Sequence, residues 1–284
     1  MPPQIVKQTM KTPVTTKSGT SSLTDRIMSV QDIQTGIKLC VYGRGKTGKT
    51  RLACTFPKPL IICGLEDGTK SVRASQGVDF IRILKSTEVD EVAKLVKAGK
   101  YKSVVLDTAG GLQDLILKEI LNLEDIPIQR SWGMAKREDW MACGAQLKER
   151  LRCLLDLADN EGTNAIVIAH ERNFKEEGGE SDIMVPTVGA ALTPAAAAWL
   201  NGACDYICQT FVREKETIKE TNVNGTVIKS VVPAGPKDPK EYCLRVGPHP
   251  VYTTGFRLPE GVTLPNEIVN PNYASIMKLI NGVK

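Results

Sequence analysis

No run of apolar residues in this 284-residue chain approaches the ~18 needed to cross a bilayer, so a membrane-spanning helix is not expected. The opening stretch, MPPQIVKQTMKTPVTTKSGTSS, lacks an apolar h-region and does not read as a secretory signal. A cytoplasmic setting is expected. Eight cysteines are present, but no Cys-x-x-Cys pair, and the two histidines, His170 and His249, are far apart in the chain. That spacing argues against a zinc site. Cys40, Cys63 and Cys153 lie inside apolar runs, as expected of free buried thiols in a reducing compartment. Internal repeats are absent as well.

Residues 1–30 lack apolar periodicity and are rich in Thr, Ser, Lys, Gln and Pro, which predicts a flexible tail. Up to Thr24 the tail has three lysines and no acid. It is suited to touch phosphates or a neighbouring subunit, or it is merely solvated. The net charge of +5 permits contact with nucleic acid without requiring it.

From residue 31 to 212 short Val/Ile/Leu-rich runs alternate with helical patterns. IKLCVYG (37–43), PLIICGLE (59–66), FIRIL (80–84), SVVLD (103–107), NAIVIAH (164–170) and DYICQTFV (205–212) read as strands. GKTRLACTF (48–56), STEVDEVAKLVKAG (86–99), LQDLILKEIL and residues 138–159 read as helices, the second opened by a Ser/Thr cap. Unbroken apolar strands between helices predict an α/β fold with a mainly parallel sheet covered on both faces. Residues 213–284 change character. TVIKSVV, EYCLRV and VYTTGF, separated by Asn-Gly and Pro/Gly turns, predict a C-terminal antiparallel β extension, and NPNYASIMKLING a terminal helix.

The strongest chemical signal is GRGKTGKT, Gly43-Arg44-Gly45-Lys46-Thr47-Gly48-Lys49-Thr50, which fits G-x-x-x-x-G-K-[ST] between a strand and a helix. Its glycines let backbone N–H groups close on phosphates. Lys49 would reach the β/γ-phosphates and the Thr50 hydroxyl would hold Mg2+, with Arg51 following the loop. Asp107, at the end of a buried strand, stands where a carboxylate is needed for that magnesium.

The string Asp107-Thr108-Ala109-Gly110 also matches the D-x-x-G switch of GTPases. In Ras-like GTPases the strand before that switch pairs antiparallel with its sequence neighbour. Here a helix precedes SVVLD, which predicts a crossover and a parallel strand. No Asn-Lys-x-Asp for guanine occurs anywhere. A base for water attack is not supplied directly after Asp107, where Thr108 stands. Glu66, at the tip of the second strand, is the expected base, with Asp67 as competitor. His170 ends another strand and is expected to point at the nucleotide edge, as sensor of the γ-phosphate or as a structural histidine.

The segments VYGRGKTGKTRLACTFPKPLIICGLEDGT, YKSVVLDTAGGLQDL, WGMAKREDW and AIVIAHERN…MVPTVGAAL…ACDYI together resemble RecA-like P-loop ATPases. Among these they are most similar to compact bacteriophage AAA-family ATPases described as nucleotide-binding or single-strand-annealing recombination proteins. The likeness covers roughly residues 36–211. It implies ATP and Mg2+ as cofactors, slow hydrolysis and oligomers (ring or filament) with nucleotide between subunits. It also implies single-stranded DNA as a partner and a single-strand-binding protein alongside. Lys49, Thr50, Glu66, Asp107 and His170 take the corresponding roles. A large RecA-type C-terminal domain is not apparent, nor is a subunit-docking motif in the tail.

By the same likeness, DNA-contacting loops are expected at 126–139 and 171–187. The first carries Arg130, Trp132, Lys136 and Arg137, cations for phosphates beside a ring for stacking. The second carries Arg172 and Lys175. A cation completing a neighbouring subunit's site is expected from the C-terminal strands, at Arg245 or Arg257. The rival to DNA work is an ATP-gated assembly or regulatory module. A small-molecule kinase would need a clustered-arginine lid, and none is visible.

Overall fold

A computed structural model describes residues 27, 29, 35–66, 68–122, 135–174, 187–215, 217–223, 226–232 and 240–282. The tail expected over 1–30 lies almost wholly outside them, as do Asp67, Arg130, Trp132 and Lys175. The elements below all belong to one unit, Thr35–Lys284.

Six parallel strands form the centre of the sheet: β1 (Lys38–Gly43), β2 (Leu60–Gly64), β3 (Val78–Arg82), β4 (Ser103–Asp107), β5 (Asn164–Phe174) and β7 (Tyr206–Glu214). Their spatial order is β7-β1-β5-β4-β2-β3. Beyond β7 the sheet continues antiparallel through β10 (Lys240–Arg245) and β12 (Glu267–Val269), while β11 (Gly255–Phe256) pairs with the start of β7. β8 (Thr217–Val223) and β9 (Thr226–Val232) form a separate hairpin. The fold is therefore mixed α/β with a mostly parallel central sheet and an antiparallel flank.

Alternation along the strands divides the core in two. Cys40, Tyr42, Val104, Leu106, Val167 and Ala169 face one layer, made by α2 (Glu88–Lys97), α3 (Ala109–Ile120), α4 (Arg137–Glu161) and α5 (Pro194–Ala203). Leu39, Val41, Ile62, Val105, Ile166 and Ile168 face the other, with α1 (Lys49–Ala53) and α6 (Tyr273–Ile280). In α4, Leu147, Leu151, Leu154 and Leu155 are buried along one face. Truncating one of them to Ala would cost about 2–5 kcal/mol.

Several boundaries differ from expectation, each for a local reason. α1 is shorter than 48–56: the Thr55 and Phe56 N–H groups turn back to Leu52 and Ala53 carbonyls before Pro57. β3 ends at Arg82 because the Glu88 carboxylate takes the Leu84 and Lys85 N–H groups. That contact, rather than a Ser/Thr cap, closes the entry to α2. Thr87 makes no side-chain cap bond, and Ser86 is held by Glu119. β5 does not stop at His170. It continues to Phe174 by pairing antiparallel with β6 (Thr187–Ala190), so residues 171–174 are strand where a loop is expected. β7 likewise runs past residue 212 to Glu214, paired with Lys240 of β10.

Candidate active site

β1 ends at Gly43, and the chain turns through Arg44–Gly48 into α1. A Cβ on Gly43 would stand 2.4 Å from the Thr210 carbonyl oxygen of β7, so only glycine lets the loop start there. Gly48, at φ 90°, takes a left-handed conformation that costs glycine least. The loop is braced by Thr47, whose hydroxyl donates to the Arg44 carbonyl at 2.8 Å and shares a 2.7 Å hydrogen bond with the Thr210 hydroxyl.

Lys49 is 7 % exposed, and its Nζ donates to the carbonyls of Gly43 at 2.9 Å and Arg44 at 2.6 Å. Burial pulls its pKa down, while Asp107, Glu171 and Glu66 pull the other way. A desolvated ammonium whose hydrogen bonds go only to carbonyls gains strongly from an arriving anion.

β4 and β2 are parallel neighbours with Asp107 opposite Gly64, and the Leu65 N–H donates to the Asp107 carbonyl at 2.7 Å. This register puts Glu66 and Asp107 at the same sheet edge as the phosphate loop. β4 is parallel to both its neighbours, β2 and β5, whereas β3, which precedes it in the chain, lies beyond β2. The antiparallel pairing that precedes a GTPase D-x-x-G switch is therefore absent.

Asp107 is 8 % exposed and accepts a hydrogen bond from Thr50 Oγ1 at 2.8 Å. Burial raises its pKa; the Thr50 bond opposes this and Glu66 adds to it. A hydroxyl and a desolvated carboxylate form a pair of hard oxygen donors that suits Mg2+. Such an ion takes one or two protein ligands and completes its shell with phosphate oxygens and water. Among the described residues no group of three or more His, Cys, Asp or Glu side chains could hold a metal ion.

Glu66 reaches over the cleft between two partners. Thr108 Oγ1 donates to its Oε1 at 3.0 Å, and His170 Nε2 lies 3.5 Å from its Oε2. His170 comes from β5, which lies between β1 and β4, so it stands at the same sheet edge as the phosphate loop and Asp107. Glu66, Asp107, Thr108 and His170 line one cleft of about 620 Å3 with the loop residues Gly45–Arg51.

The remaining expected residues are more dispersed. Arg172 sits on the extended part of β5, opposite Gly189, with its guanidinium 5.6 Å from the Phe174 ring centre. Lys136 precedes α4, its backbone N–H donating to Asp139 at 2.8 Å, and Arg137 begins the helix in an exposed position. Arg245 bonds Gln209 and lies over the rings of Phe211 and Tyr252, at 4.6 and 4.1 Å. Arg257 is at the opposite sheet edge from the phosphate loop, bonded to Asp205 at 2.6 Å and to the Gly202 carbonyl at 3.0 Å. Asp205 itself donates its N–H to Lys38, at the start of β1.

Five contributors went unrecognised in the sequence. Thr108 was visible only as a residue that is not a glutamate. Glu171 bonds Arg44 at 2.8 Å and Gln209 at 3.0 Å, tying the loop to β5 and β7. Thr210 braces Thr47, and Tyr242 and Lys70 line the cleft. Only the strand order brings β7 and β10 to the loop, and no local pattern encodes that order.

A family model described as an AAA domain matches residues 35–258. No curated protein matches the chain.

Proposed function

The chain belongs to this AAA-domain family of P-loop ATPases, and from that premise we propose that it is a RecA-like, Mg2+-dependent ATPase working on single-stranded DNA. The observation that carries the ATPase part is the placing of Glu66. Its carboxylate is held by Thr108 and faced by His170, on a strand tip adjoining that of Asp107, above the phosphate loop.

In this reading Lys49 leaves the Gly43 and Arg44 carbonyls for the β/γ-phosphates. Thr50 and Asp107 would hold Mg2+, which when bound would supply charge neutralisation at the phosphoryl oxygens. Glu66 takes the proton of the attacking water, and His170 follows the state of the γ-phosphate through its contact with Glu66. β5 then carries that state outward: it runs without interruption from His170 to Arg172 and Phe174, the described part of the second expected DNA segment.

Single-stranded DNA is proposed as the partner, on the sequence resemblance and on the exposed cations Lys136 and Arg137 at the head of α4. The phage recombination setting, self-association and a trans-acting Arg245 rest on that resemblance too. No helix among the described residues is long and apolar enough to cross a membrane.

The test is ATP turnover with and without single-stranded DNA, beside Lys49→Ala and Glu66→Gln. Stimulation by DNA that both variants lose supports the full reading. Turnover indifferent to DNA, together with no salt-sensitive DNA binding, leaves the ATPase and overturns the DNA assignment in favour of an ATP-gated module.

A further inference from the structure

Next to the phosphate cleft lies a second recess of about 280 Å3, which shares Thr47, Gly48, Arg51 and Tyr242 with it. Its outer wall is the turn Asn270–Pro271–Asn272 between β12 and α6. Tyr242, on β10, is the partition. A Cβ on Gly48 would lie 3.3 Å from Tyr242 Cδ1, so the ring rests against the phosphate loop. Tyr242 is nevertheless 41 % exposed, although Cys243 and Leu244, next on the same strand, are buried. An aromatic ring held at one edge and open elsewhere offers a stacking surface.

Asn270 is fixed beside it. Its backbone takes φ 49°, and its N–H donates to the Tyr242 carbonyl at 2.7 Å. Its side-chain amide is exposed and has no hydrogen-bond partner among the described residues. Asn272 and Thr55, by contrast, are committed: one caps α6 through Ser275, the other bonds the Leu52 carbonyl and the Tyr273 N–H.

We propose that this recess holds the base and ribose of the bound nucleotide, with Tyr242 stacking on a purine and the Asn270 amide reading its edge. This rests on the phosphate-loop reading above. An amide presents one acceptor and one donor side by side, which matches the N6 donor and N7 acceptor of adenine. The O6 and N7 of guanine are both acceptors and leave the amide oxygen facing a like group. The site therefore selects adenine over guanine, and does so through residues from the C-terminal antiparallel flank.

The experiment measures equilibrium binding of ATP, GTP and inorganic tripolyphosphate, each with Mg2+, to the full chain and to Tyr242→Ala, Tyr242→Phe and Asn270→Ala. Wild type is expected to bind ATP more tightly than tripolyphosphate. Tyr242→Ala should lose about 10- to 100-fold in ATP affinity while retaining its affinity for tripolyphosphate, and Tyr242→Phe should restore ATP binding. Asn270→Ala, a change at an exposed turn, should shrink the preference for ATP over GTP. Equal affinity of wild type for ATP and tripolyphosphate overturns the proposal and leaves the phosphate loop standing. So does wild-type ATP affinity in a folded Tyr242→Ala together with an unchanged ATP/GTP ratio in Asn270→Ala. Failure of wild type to bind either ligand removes the phosphate-loop reading and this one with it.

Discussion

Thr108 Oγ1 donates to Glu66 Oε1 at 3.0 Å, and the same oxygen accepts the Gly111 N–H at the start of α3. One hydroxyl thus caps a helix and aims the proposed catalytic carboxylate. The slot after Asp107, where a base could have stood, supplies the base's support instead.

Replacing Glu66 by Gln is therefore expected to lower kcat by roughly 100- to 10,000-fold, the usual contribution of a general base. Nucleotide affinity should persist, because the amide keeps the shape and loses only basicity. Single-turnover hydrolysis beside equilibrium ATP binding checks this. Thr108→Val should cost about 1 kcal/mol of stability through the lost cap and lower kcat as well, with Thr108→Ser restoring both. A Thr108→Val enzyme with wild-type kcat and reduced stability alone would limit Thr108 to the cap.

Lys49 makes its two hydrogen bonds to carbonyls that the phosphates are proposed to replace. Lys49→Ala is expected to weaken ATP binding by at least about 10-fold, the low end for a lost charge-assisted hydrogen bond. The free protein should lose little stability, because the removed ammonium was itself desolvated. Isothermal titration and thermal melts on the same samples separate the two quantities.

Asp107 predicts a pH effect with a definite sign. Burial raises its folded-state pKa above the ordinary value. The folded chain therefore holds the proton more tightly than the unfolded chain. The resulting stabilisation is complete below the ordinary carboxylate pKa of about 4 and is lost as pH rises through the elevated one. Asp107→Asn has no such slope, so metal-free Asp107→Asn should melt no lower than wild type at neutral pH. Its advantage should shrink on acidification. The same variant should lose Mg2+-dependent turnover, as wild type does with a chelator. A melting temperature well below wild type at neutral pH would contradict the assignment of burial as the governing cause.

Much of this site was legible because it rests on short-range rules. G-x-x-x-x-G-K-[ST] is contiguous, and apolar strands between helices imply parallel neighbours. The tips bearing Glu66 and Asp107 then meet at one edge. What could not be read was set by strand order and by pairing at a distance. β5 outlasts His170 because β6 pairs with it, and Tyr242 reaches the loop because β10 lies antiparallel on β7. Arg245 and Arg257 are both C-terminal cations in the sequence. The fold holds the first near the loop, through Gln209 and Glu171, and sends the second to the other end of β7.

The cysteines give a test of the core itself. All eight are free, and every one but Cys153 is buried. Burial pushes the thiol of Cys63 up to about 12 and those of Cys54 and Cys143 to about 11, and it raises Cys40 and Cys208 further still. At pH 8 a thiol titrating near 11 is ionised in only about one molecule per thousand, and only the thiolate attacks. Native protein treated with a chromogenic disulfide at pH 8 should therefore release its first equivalent from Cys153, the one thiol that is only half-buried, slowly because burial raises that thiol too, and the remaining seven only after denaturation. Nucleotide binding should be unaffected by the first equivalent, because Cys153 lies on α4, away from the phosphate loop. Rapid reaction of several thiols in the native state would mean that the two core layers open readily around β1 and β7, the strands that carry the loop and its Thr210 brace, where the Cys208 thiol lies 3.5 Å from the Cys40 carbonyl.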